Sequence, residues 1–391
     1  MKKYLLLGGT FDDNGGKSSK IVSSIGNAIT SRFNHGDSLT VMNGGDYSKL
    51  KDIIEVELAK EKYDVVFWFP NVDNSKEKIR NVKDFLPTTM LVTSKRNENK
   101  KYTFLDLEQK ALAAKANLLL EFAVDTASNH ITFNVMDPLG NLWYSGDDIS
   151  EATNYMLNRL DYLMTITRQP TIHSDIDIKI PFNWYFSAIE DAEHSDKEVK
   201  IPNKDEFIDV VHKYADVFHT IMFHETSDVK RFLGNCSTRL PNEFRCPKGF
   251  PSFREKDYVF VSRRNVNKES IDMDQFVPVY AEDNKLYYCG DHKPSVDAPV
   301  QVKLYKELPN INYIIHSHCY IKNAPFTSNP IPCGALEEEP EVLGLIDKEF
   351  NSRELNRYAI NLLGHGSLIM GSTVDDLKNV EYIARQLPEK R

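Results

Sequence analysis

Short apolar runs alternate with amphipathic stretches along the first part of the chain. Between the first two runs, apolar residues recur at helical spacing and form one stripe, which predicts an amphipathic helix. Parallel strands need such a crossover between them, so we predict an α/β domain with a parallel sheet over residues 1–166. The expected strands are Tyr4–Leu7, Leu39–Met42, Val65–Phe69 and Met90–Thr93, and the stripe is Ile21, Ile25, Ala28, Ile29 and Phe33.

The rest of this domain has both helical and hairpin patterns. A stretch rich in Ala and Leu predicts a helix over Leu105–Leu120. Two apolar runs, His130–Met136 and Leu142–Tyr144, flank the turn-forming sequence Asp-Pro-Leu-Gly-Asn and predict a hairpin. A last helix is expected near residues 151–166.

The pattern weakens from residue 167 to residue 204, where prolines and a charged stretch interrupt it. We interpret this segment as a linker. Periodicity resumes at Asp205, and apolar residues up to Ile221 follow the i, i+3, i+4, i+7 spacing of an amphipathic helix. Residues 205–391 are long enough for a second domain.

Composition narrows the classes of protein. The chain has 391 residues, of which 41% are hydrophobic, and its formal net charge is −9. This acidity argues against nucleic acid or an anionic membrane as the main partner, because both attract positive surface. No apolar run approaches the length of a membrane span. Five cysteines without paired CxxC spacing indicate a reducing compartment, so we expect a cytoplasmic protein.

Two histidines stand two residues apart at the end of an apolar run, in the sequence Ile-Ile-His316-Ser-His318. In a strand such side chains leave the same face, with Cα atoms about 6.6 Å apart, close enough to share one cation. His365, between two glycines, is a candidate third ligand. A pair with this spacing is also common among ordinary surface or core histidines, so the pattern alone leaves both interpretations open.

Six short segments in the second domain have recognisable patterns. They are Gly234–Arg239, Val259–Ile271, Lys293–Asp297, His316–His318, Ile331–Pro332 and Gly364–Gly366. In this order they resemble the class II aldolase/adducin family, which includes L-fuculose-phosphate aldolase and L-ribulose-5-phosphate 4-epimerase. The resemblance implies a class II aldolase-like α/β/α domain.

The resemblance also implies a metal site. It assigns His316, His318 and His365 to a divalent cation, usually zinc, with Mn²⁺, Fe²⁺ or Co²⁺ as alternatives. In the family the cation chelates oxygens of a keto sugar and stabilises the enediolate formed when the bond next to the carbonyl breaks. Asp297 matches the family's acidic residue, which is an acid/base glutamate in the aldolases and an aspartate near the metal in the epimerase. Asp297 is therefore expected either to carry a proton or to approach the cation.

In the family, backbone amides and hydroxyl groups of the first three segments hold the substrate phosphate. The matching residues are Asn235, Ser237, Ser262 and Ser295. One departure is Ser-Arg-Arg264-Asn where the family has Thr-Pro-Ser-Gly. The two arginines are expected either to bind a larger or differently placed anion or to lie in a subunit contact.

Relatives place a catalytic acid or tyrosine in the loop matched by residues 337–341. Glu338 is our candidate, and a solvated acidic loop is the alternative. The family's C-terminal tyrosine has no clear counterpart, because Tyr382 falls in a predicted helix. Aldol cleavage, epimerisation and dehydration therefore stay undistinguished. Cys319 and Cys333 are expected to be ordinary buried thiols.

The first strand ends in Gly8-Gly9-Thr10, which resembles the corresponding turn of phosphopantothenoylcysteine synthetase and implies a Rossmann-like domain. Backbone amides at a helix start there are suited to an anion. A P-loop ending in Gly16-Lys-Ser is excluded, because position 11 is Phe11 instead of glycine. A purely structural or partner-binding use of this domain is the alternative.

Two classes of function follow. The first is a metal-dependent aldolase or epimerase, acting on a small hydroxy-keto sugar or sugar phosphate, and the resemblance implies a homotetramer. The second is a non-catalytic, adducin-like interaction module. A two-activity enzyme with a nucleotide-binding N-terminal domain is a further variant of the first class. The intact set of His316, His318 and His365 favours the enzyme, because a scaffold gives no reason for three convergent imidazoles.

Overall fold

The computed structural model describes residues 1–9, 17–42, 62–70, 72, 89–174, 204–218, 220–223, 229–239 and 258–383. They form two compact units, one built on residues 1–165 and the other mainly on residues 166–221 and from 230 onward. Both units combine helices with a sheet, so the predicted α/β fold class is confirmed. None of the described helices is long and apolar enough to span a bilayer.

The first unit is built around one sheet of seven described strands. Its elements are β1 (Lys3–Gly9), α1 (Lys20–Thr30), β2 (Ser38–Met42), β3 (Val65–Pro70), β4 (Met90–Glu98), α2 (Phe104–Ala113), β5 (Leu118–Asp125), β6 (His130–Met136), β7 (Leu142–Gly146) and α3 (Ile149–Thr165). The strand order is β2-β1-β3-β4-β5-β6-β7. The first five of these strands are parallel, and β6 and β7 add the predicted hairpin in antiparallel fashion.

The start of α1 shows how local sequence builds this unit. The Ser19 side chain accepts a hydrogen bond from the Ile21 amide at 3.2 Å and caps the helix. Val22 and Ile25 lie on the buried stripe. Gly8 at the end of β1 lets the helix come close, because a Cβ there would overlap the Val22 side chain. Thr10 and Gly16, which belong to the predicted anion-binding turn, lie outside the described residues.

The remaining helices and strands of the described residues are β8 (Thr171–His173), α4 (Lys204–Lys213), β9 (Thr220–Phe223), β10 (Val229–Phe232), β11 (Asn235–Arg239), β12 (Val259–Ser262), β13 (Phe276–Glu282), β14 (Lys285–Tyr288), α5 (Ala298–Glu307), β15 (Tyr313–Ser317), β16 (Tyr320–Ile321), α6 (Glu338–Glu349), β17 (Arg357–Leu362), β18 (Gly366–Gly371) and β19 (Tyr382–Ile383). The second unit contains a sheet of eight of these strands in the order β17-β18-β15-β11-β12-β13-β14-β8. All neighbours in this sheet are antiparallel except β14 and β8.

Helices cover both faces of this sheet. On one face, Phe207 and Val211 of α4 pack in a core with Ile315. On the other face, α5 and α6 pack in a core with Val261 and Ile314. Because side chains alternate along a strand, the neighbours Ile314 and Ile315 enter opposite cores. The predicted α/β/α layering is therefore confirmed, with β15 inside the sheet.

The predicted helix over Leu105–Leu120 is wrong in its C-terminal part. The helix α2 ends at Ala113, Lys115 takes a φ of 52°, and Leu118 begins β5. A short apolar run fits a buried parallel strand as well as a helix, and pairing with β4 decides for the strand.

Two further predicted helices differ from the structure. The helix expected from Asp205 to Ile221 ends at Lys213, and a short 3₁₀ turn at Ala215–Val217 leads into β9. Pairing of β9 with β10 replaces the helical hydrogen bonds. Tyr382 lies in the strand β19, paired with β16, and the helix predicted around it is wrong.

The segment predicted as a linker begins with residues that take part in the second sheet. Thr171 to His173 pair in parallel with β14, and the Ser174 amide donates to the Tyr288 carbonyl oxygen at 2.8 Å. Residues 175–203 lie outside the described part of the chain. The domain boundaries 1–166, 167–204 and 205–391 stay predictions.

Candidate metal centre

Three histidines meet at one end of β15. His316 lies in this strand, His318 follows it directly, and His365 lies in the turn between β17 and β18. The ring centroids are 5.1 Å apart for His316 and His318, 4.6 Å for His316 and His365, and 5.2 Å for His318 and His365. One nitrogen of each ring lies within 4.8 Å of the others. All three side chains are buried, so the structure brings the predicted ligands together.

The glycines around His365 allow this convergence. The strands β15 and β18 are paired through Ser317 and Ser367. A Cβ at Gly366 would overlap the Ser317 carbonyl oxygen, so only glycine permits this close approach. Gly364 takes a φ of 70° and turns the chain from β17 toward His365.

The two ring nitrogens of His316 have different environments. Its Nδ1 lies 3.0 Å from the Ser367 carbonyl oxygen. Because a carbonyl can only accept, Nδ1 donates, and the lone pair is on Nε2. That Nε2 is buried and has no hydrogen-bond partner among the described residues. Burying a nitrogen lone pair without a hydrogen bond destabilises the folded protein unless a ligand binds to it.

His365 is oriented by a carboxylate. Its Nδ1 lies 2.6 Å from Oε1 of Glu338, which is 3% exposed at the start of α6. The carboxylate accepts from Nδ1, and the other ring nitrogen, Nε2, lies 3.1 Å from the Cys333 Sγ. Carboxylate partners of this kind fix the ring orientation of metal-binding histidines. Glu338, our candidate catalytic glutamate, thus contacts the side of the ring opposite the cluster.

Asp297 stands beside the cluster, directly before α5. Its Oδ2 accepts a hydrogen bond from the Asn235 Nδ2 at 2.9 Å and lies 3.9 Å from the His316 Nε2. Gln301, one helical turn further, donates in turn to the Asn235 Oδ1. The other carboxylate oxygen of Asp297, Oδ1, is buried without a hydrogen-bond partner in the described part of the chain. A fixed carboxylate with one open oxygen therefore faces the histidines.

The electrostatics of the rings differ. Burial, reinforced by the neighbouring His365, lowers the pKa of His316 to about 4 and keeps its ring neutral at pH 7. Burial alone would also lower the pKa of His365, but Cys333 and Glu338 outweigh it and raise that pKa well above its usual value. A metal ion requires the neutral form of a histidine, and it competes with the proton for the nitrogen.

The donor set fits a divalent transition metal. Imidazole nitrogen suits Zn²⁺, Co²⁺, Fe²⁺ and Mn²⁺, and three histidines are a known zinc ligand set in enzymes. Two buried atoms at this site, His316 Nε2 and Asp297 Oδ1, have no hydrogen-bond partner among the described residues, and a cation or its substrate would satisfy them. His316, His318 and His365 could hold the ion.

The residues predicted for phosphate binding occupy two kinds of position. Ser237 and Ser262 are fully buried, and their hydroxyl groups bond the Tyr305 hydroxyl at 2.9 Å and the Cys236 amide at 3.2 Å. Ser295 accepts from the Asp297 amide at 3.4 Å and so supports the loop before α5. Arg264 is exposed, and its amide donates to the Lys293 carbonyl oxygen at 2.9 Å. Of these residues, Asn235 is the one that donates to the Asp297 carboxylate.

Three residues near the centre escaped the sequence analysis. Cys333 contacts His365, although it was expected to be an ordinary thiol. Gln301 could have been found from its spacing of four residues after Asp297, which places both on one helix face. Lys268 is 2% exposed, and a lysine in a polar loop sequence gives no signal of burial.

Residues 218–387 match the family model described as Class II Aldolase and Adducin N-terminal domain. This region contains the three histidines and Asp297. The resemblance predicted from the six short segments is therefore confirmed for this part of the chain. No curated protein matches the chain in sequence.

Solved structures of two kinds are similar to this chain. YgbL from Klebsiella pneumoniae, a putative aldolase/epimerase/decarboxylase, is 13% identical with a TM-score of 0.29, and the match covers 45% of this chain and 81% of YgbL. L-fuculose 1-phosphate aldolase is 15% identical with a TM-score of 0.28, covering 45% and 79%. The DNA/Pantothenate Metabolism Flavoprotein from Streptococcus pneumoniae is 13% identical with a TM-score of 0.30, covering 42% and 99%. TM-scores this low carry no argument about activity.

Proposed function

We propose that the second unit is a metal-dependent aldolase or epimerase, and that it acts on a hydroxy-keto sugar or sugar phosphate. The observation that carries the proposal is the meeting of three buried imidazoles beside the carboxylate of Asp297. The match of this region to the family model supports it. A scaffold would need neither the open nitrogen of His316 nor the open oxygen of Asp297.

We assign His316, His318 and His365 as the ligands of a divalent cation, with zinc as the first choice. A cation bound there supplies Lewis-acid polarisation of a substrate carbonyl group. His316 is held by the Ser367 carbonyl and His365 by Glu338, so both rings are oriented before any ligand arrives. In this proposal Glu338 is a positioning residue.

Asp297 is the group that we assign to carry the proton. Asn235 holds its Oδ2, and Gln301 holds Asn235, so the carboxylate has a fixed direction. Its Oδ1 is left to remove a proton from the substrate and to return it. Because the carboxylate is 8% exposed, bulk water competes little for it.

We place the substrate anion near the start of the loop after β12. Arg264 is exposed there and offers a charged donor fork, while Ser295 supports the neighbouring Asp297 loop. Ser237 and Ser262 remain in the proposed binding set, although their hydroxyl groups are engaged inside the sheet. The amides of Cys236, Arg264 and Ser295 already donate within the protein, so we assign the charged side chain of Arg264 as the donor to the anion.

For the whole protein we propose a cytoplasmic homotetramer in carbohydrate metabolism, without nucleic acid or membrane as partner. The first unit then modifies substrate access or assembly. The net charge of −9 agrees with a small-molecule substrate more than with a polyanionic partner.

The test is incubation of the metal-loaded protein with ketose 1- and 5-phosphates, and with dihydroxyacetone phosphate plus aldehydes. Products are followed by mass and stereochemistry. We expect turnover that Asp297→Asn lowers by about 10²–10⁴-fold, the usual contribution of a general acid or base. Asp291→Asn, an exposed aspartate of the same unit, is the matched control and should leave the rate unchanged.

Two results would contradict the proposal. The first is absence of turnover across the whole panel in protein that holds its metal, which would favour the adducin-like module. The second is an unchanged rate in Asp297→Asn, which would remove Asp297 from the reaction.

A further inference from the structure

Cys333 lies in the segment between β16 and α6, and its sulfur reaches the histidine cluster. The Sγ is 3.1 Å from Nε2 of His365, the ring nitrogen that is not bonded to Glu338. Donor atoms of Cys333, His365 and Asp297 all lie within 4.8 Å of one another. In the described part of the chain, two groups of possible ligands therefore share His365: one adds His316 and His318, and the other adds Asp297 and Cys333.

The backbone holds Cys333 in this place. The Arg168 guanidinium donates to the Cys333 carbonyl oxygen at 2.7 Å. The next residue, Gly334, has a φ of 68°, and a Cβ there would overlap Val296, which precedes Asp297. The cysteine loop thus packs against the aspartate loop, and the sulfur is fixed rather than delivered by a long flexible side chain.

An independent observation points to a ligand at this place. His316 Nε2 and Asp297 Oδ1 are both buried and have no hydrogen-bond partner among the described residues, and the two side chains are 1% and 8% exposed. Asp297 connects them to the thiol, because one of its carboxylate oxygens lies within 4.8 Å of the Cys333 sulfur and its Oδ2 lies 3.9 Å from His316 Nε2. A region lined by unsatisfied nitrogen and oxygen atoms beside a thiol has the chemistry of a cation site.

We propose that Cys333 supplies a sulfur ligand to the cation held by His316, His318 and His365. This inference rests on the metal centre proposed above. Thiolate is the form that binds metals, so the thiol proton is released to solvent when the ion is bound. With sulfur as the fourth protein donor, Asp297 is not needed as a ligand and stays available for the proton.

The sulfur changes which metal the centre selects. A set of three imidazoles and one thiolate favours Zn²⁺ or Co²⁺ over Mg²⁺ and Mn²⁺, which prefer oxygen. With the sulfur, four donors of this chain would hold the ion, and a catalytic zinc would in addition have to leave room for a substrate oxygen.

The experiment is absorption spectroscopy of the full chain loaded with Co²⁺, compared with Cys333→Ala and Cys333→Ser. We expect an intense near-ultraviolet sulfur-to-cobalt band in the wild type and its loss in both variants. Cys319→Ser is the matched control, because its half-buried thiol donates to the Val217 carbonyl oxygen at 3.3 Å, and the band should persist there. Zinc affinity, measured by competition with a chromophoric chelator, should fall at least tenfold in the Cys333 variants, since loss of even a partner of a ligand costs about 10–100-fold.

The outcomes separate the two proposals. Cobalt bound with its visible bands but without the sulfur band in the wild type would overturn the role of Cys333 and leave the three-histidine centre standing. Failure of the wild type to bind cobalt or zinc would overturn both. A sulfur band that survives the triple variant His316→Gln, His318→Gln, His365→Gln would mean that cobalt binds the thiol independently of the histidines, which also overturns the inference. If the Cys333 variants do not fold by circular dichroism, the wild-type spectrum alone decides.

Discussion

Glu338 directs its carboxylate at the ring nitrogen of His365 that points away from the cluster, at 2.6 Å. Both side chains are almost fully buried. A carboxylate in this position fixes the tautomer of the imidazole and increases its basicity as a ligand. In our proposal, Glu338 therefore acts on the metal centre through His365.

Replacing Glu338 with Gln keeps the shape of the side chain and removes its charge. We expect zinc affinity to fall by about 10–100-fold, the range found when a partner of a metal ligand is lost. The measurement is competition with a chromophoric chelator. Glu339→Gln is the matched control, because Glu339 pairs with Lys303 at 3.7 Å, and its zinc affinity should be unchanged. Equal affinities in the two variants would contradict the positioning role.

Lys268 is a second residue whose environment is unusual. Its ammonium group is buried and donates to the Leu233 carbonyl oxygen at 3.3 Å. Burial lowers the pKa of Lys268 from 10.5 to about 8, although the nearby Cys236 and Asp297 act in the opposite direction. The folded protein thus holds this proton less tightly than the unfolded chain does.

This difference predicts a pH-dependent stability. Between pH 8 and pH 10.5 the unfolded chain binds the Lys268 proton and the folded protein releases it, so the free energy of unfolding rises with pH. Below pH 8 Lys268 is charged in the folded protein, and burying this charge lowers the free energy of unfolding by about 3 kcal/mol. The measurement is denaturant unfolding in the presence of a metal chelator. We expect the free energy of unfolding of Lys268→Met, relative to the wild type, to fall by about 3 kcal/mol between pH 8 and pH 10.5. A stability difference between the two proteins that does not change with pH would contradict the lowered pKa of Lys268.

At the scale of elements, the antiparallel pairing of β15 with β18 places His365 next to His316. Gly366 sits at the closest point of this pairing, where a Cβ would overlap the Ser317 carbonyl oxygen. Its φ of 155° is also unfavourable for other residues. The proposed metal centre therefore requires these two strands to stay close together at Gly366.

Gly366→Ala should therefore force the strands apart. We expect a loss of about 2–4 kcal/mol in the free energy of unfolding, from overlap and backbone strain together. Gly344→Ala is the matched control, because Gly344 lies in α6 with open space around it, and alanine there should stabilise by about 0.5–1 kcal/mol. Denaturant unfolding of both variants decides. A Gly366→Ala protein as stable as the wild type would contradict the close approach.

Much of the fold is visible in the sequence because strand and helix periods differ. The stripe around Ile25 has the helical period, the runs at Tyr4 and Val65 have the length of buried strands, and the structure forms these elements. Leu118–Leu120 agrees with both periods, so only pairing with β4 distinguishes strand from helix.

Some residues of the candidate site can also be predicted from the sequence, and others cannot. His316 and His318 are recognisable because a strand puts residues two apart on one side. The contacts of Glu338 and Cys333 with His365 join residues 27 and 32 positions apart. Such contacts depend on how the loop before α6 packs, which no local pattern encodes.

At the scale of the whole molecule, the candidate metal ligands and the sheet of the first unit belong to different parts of the described chain. The candidate ligands lie in the second unit, while the parallel sheet of the first unit is built on residues 1–165. Among the described residues, the groups that could hold a metal ion all come from the second unit. The central claim about function is therefore a claim about one buried centre.

The most direct test of that centre is the metal content of the full-length protein after zinc loading and dialysis. We expect one tightly held ion per chain in the wild type and in His292→Gln, which changes an exposed histidine of the same unit. His316→Gln and His365→Gln should hold almost none. Less than one ion per chain in the wild type, or full occupancy in both ligand variants, would contradict the account.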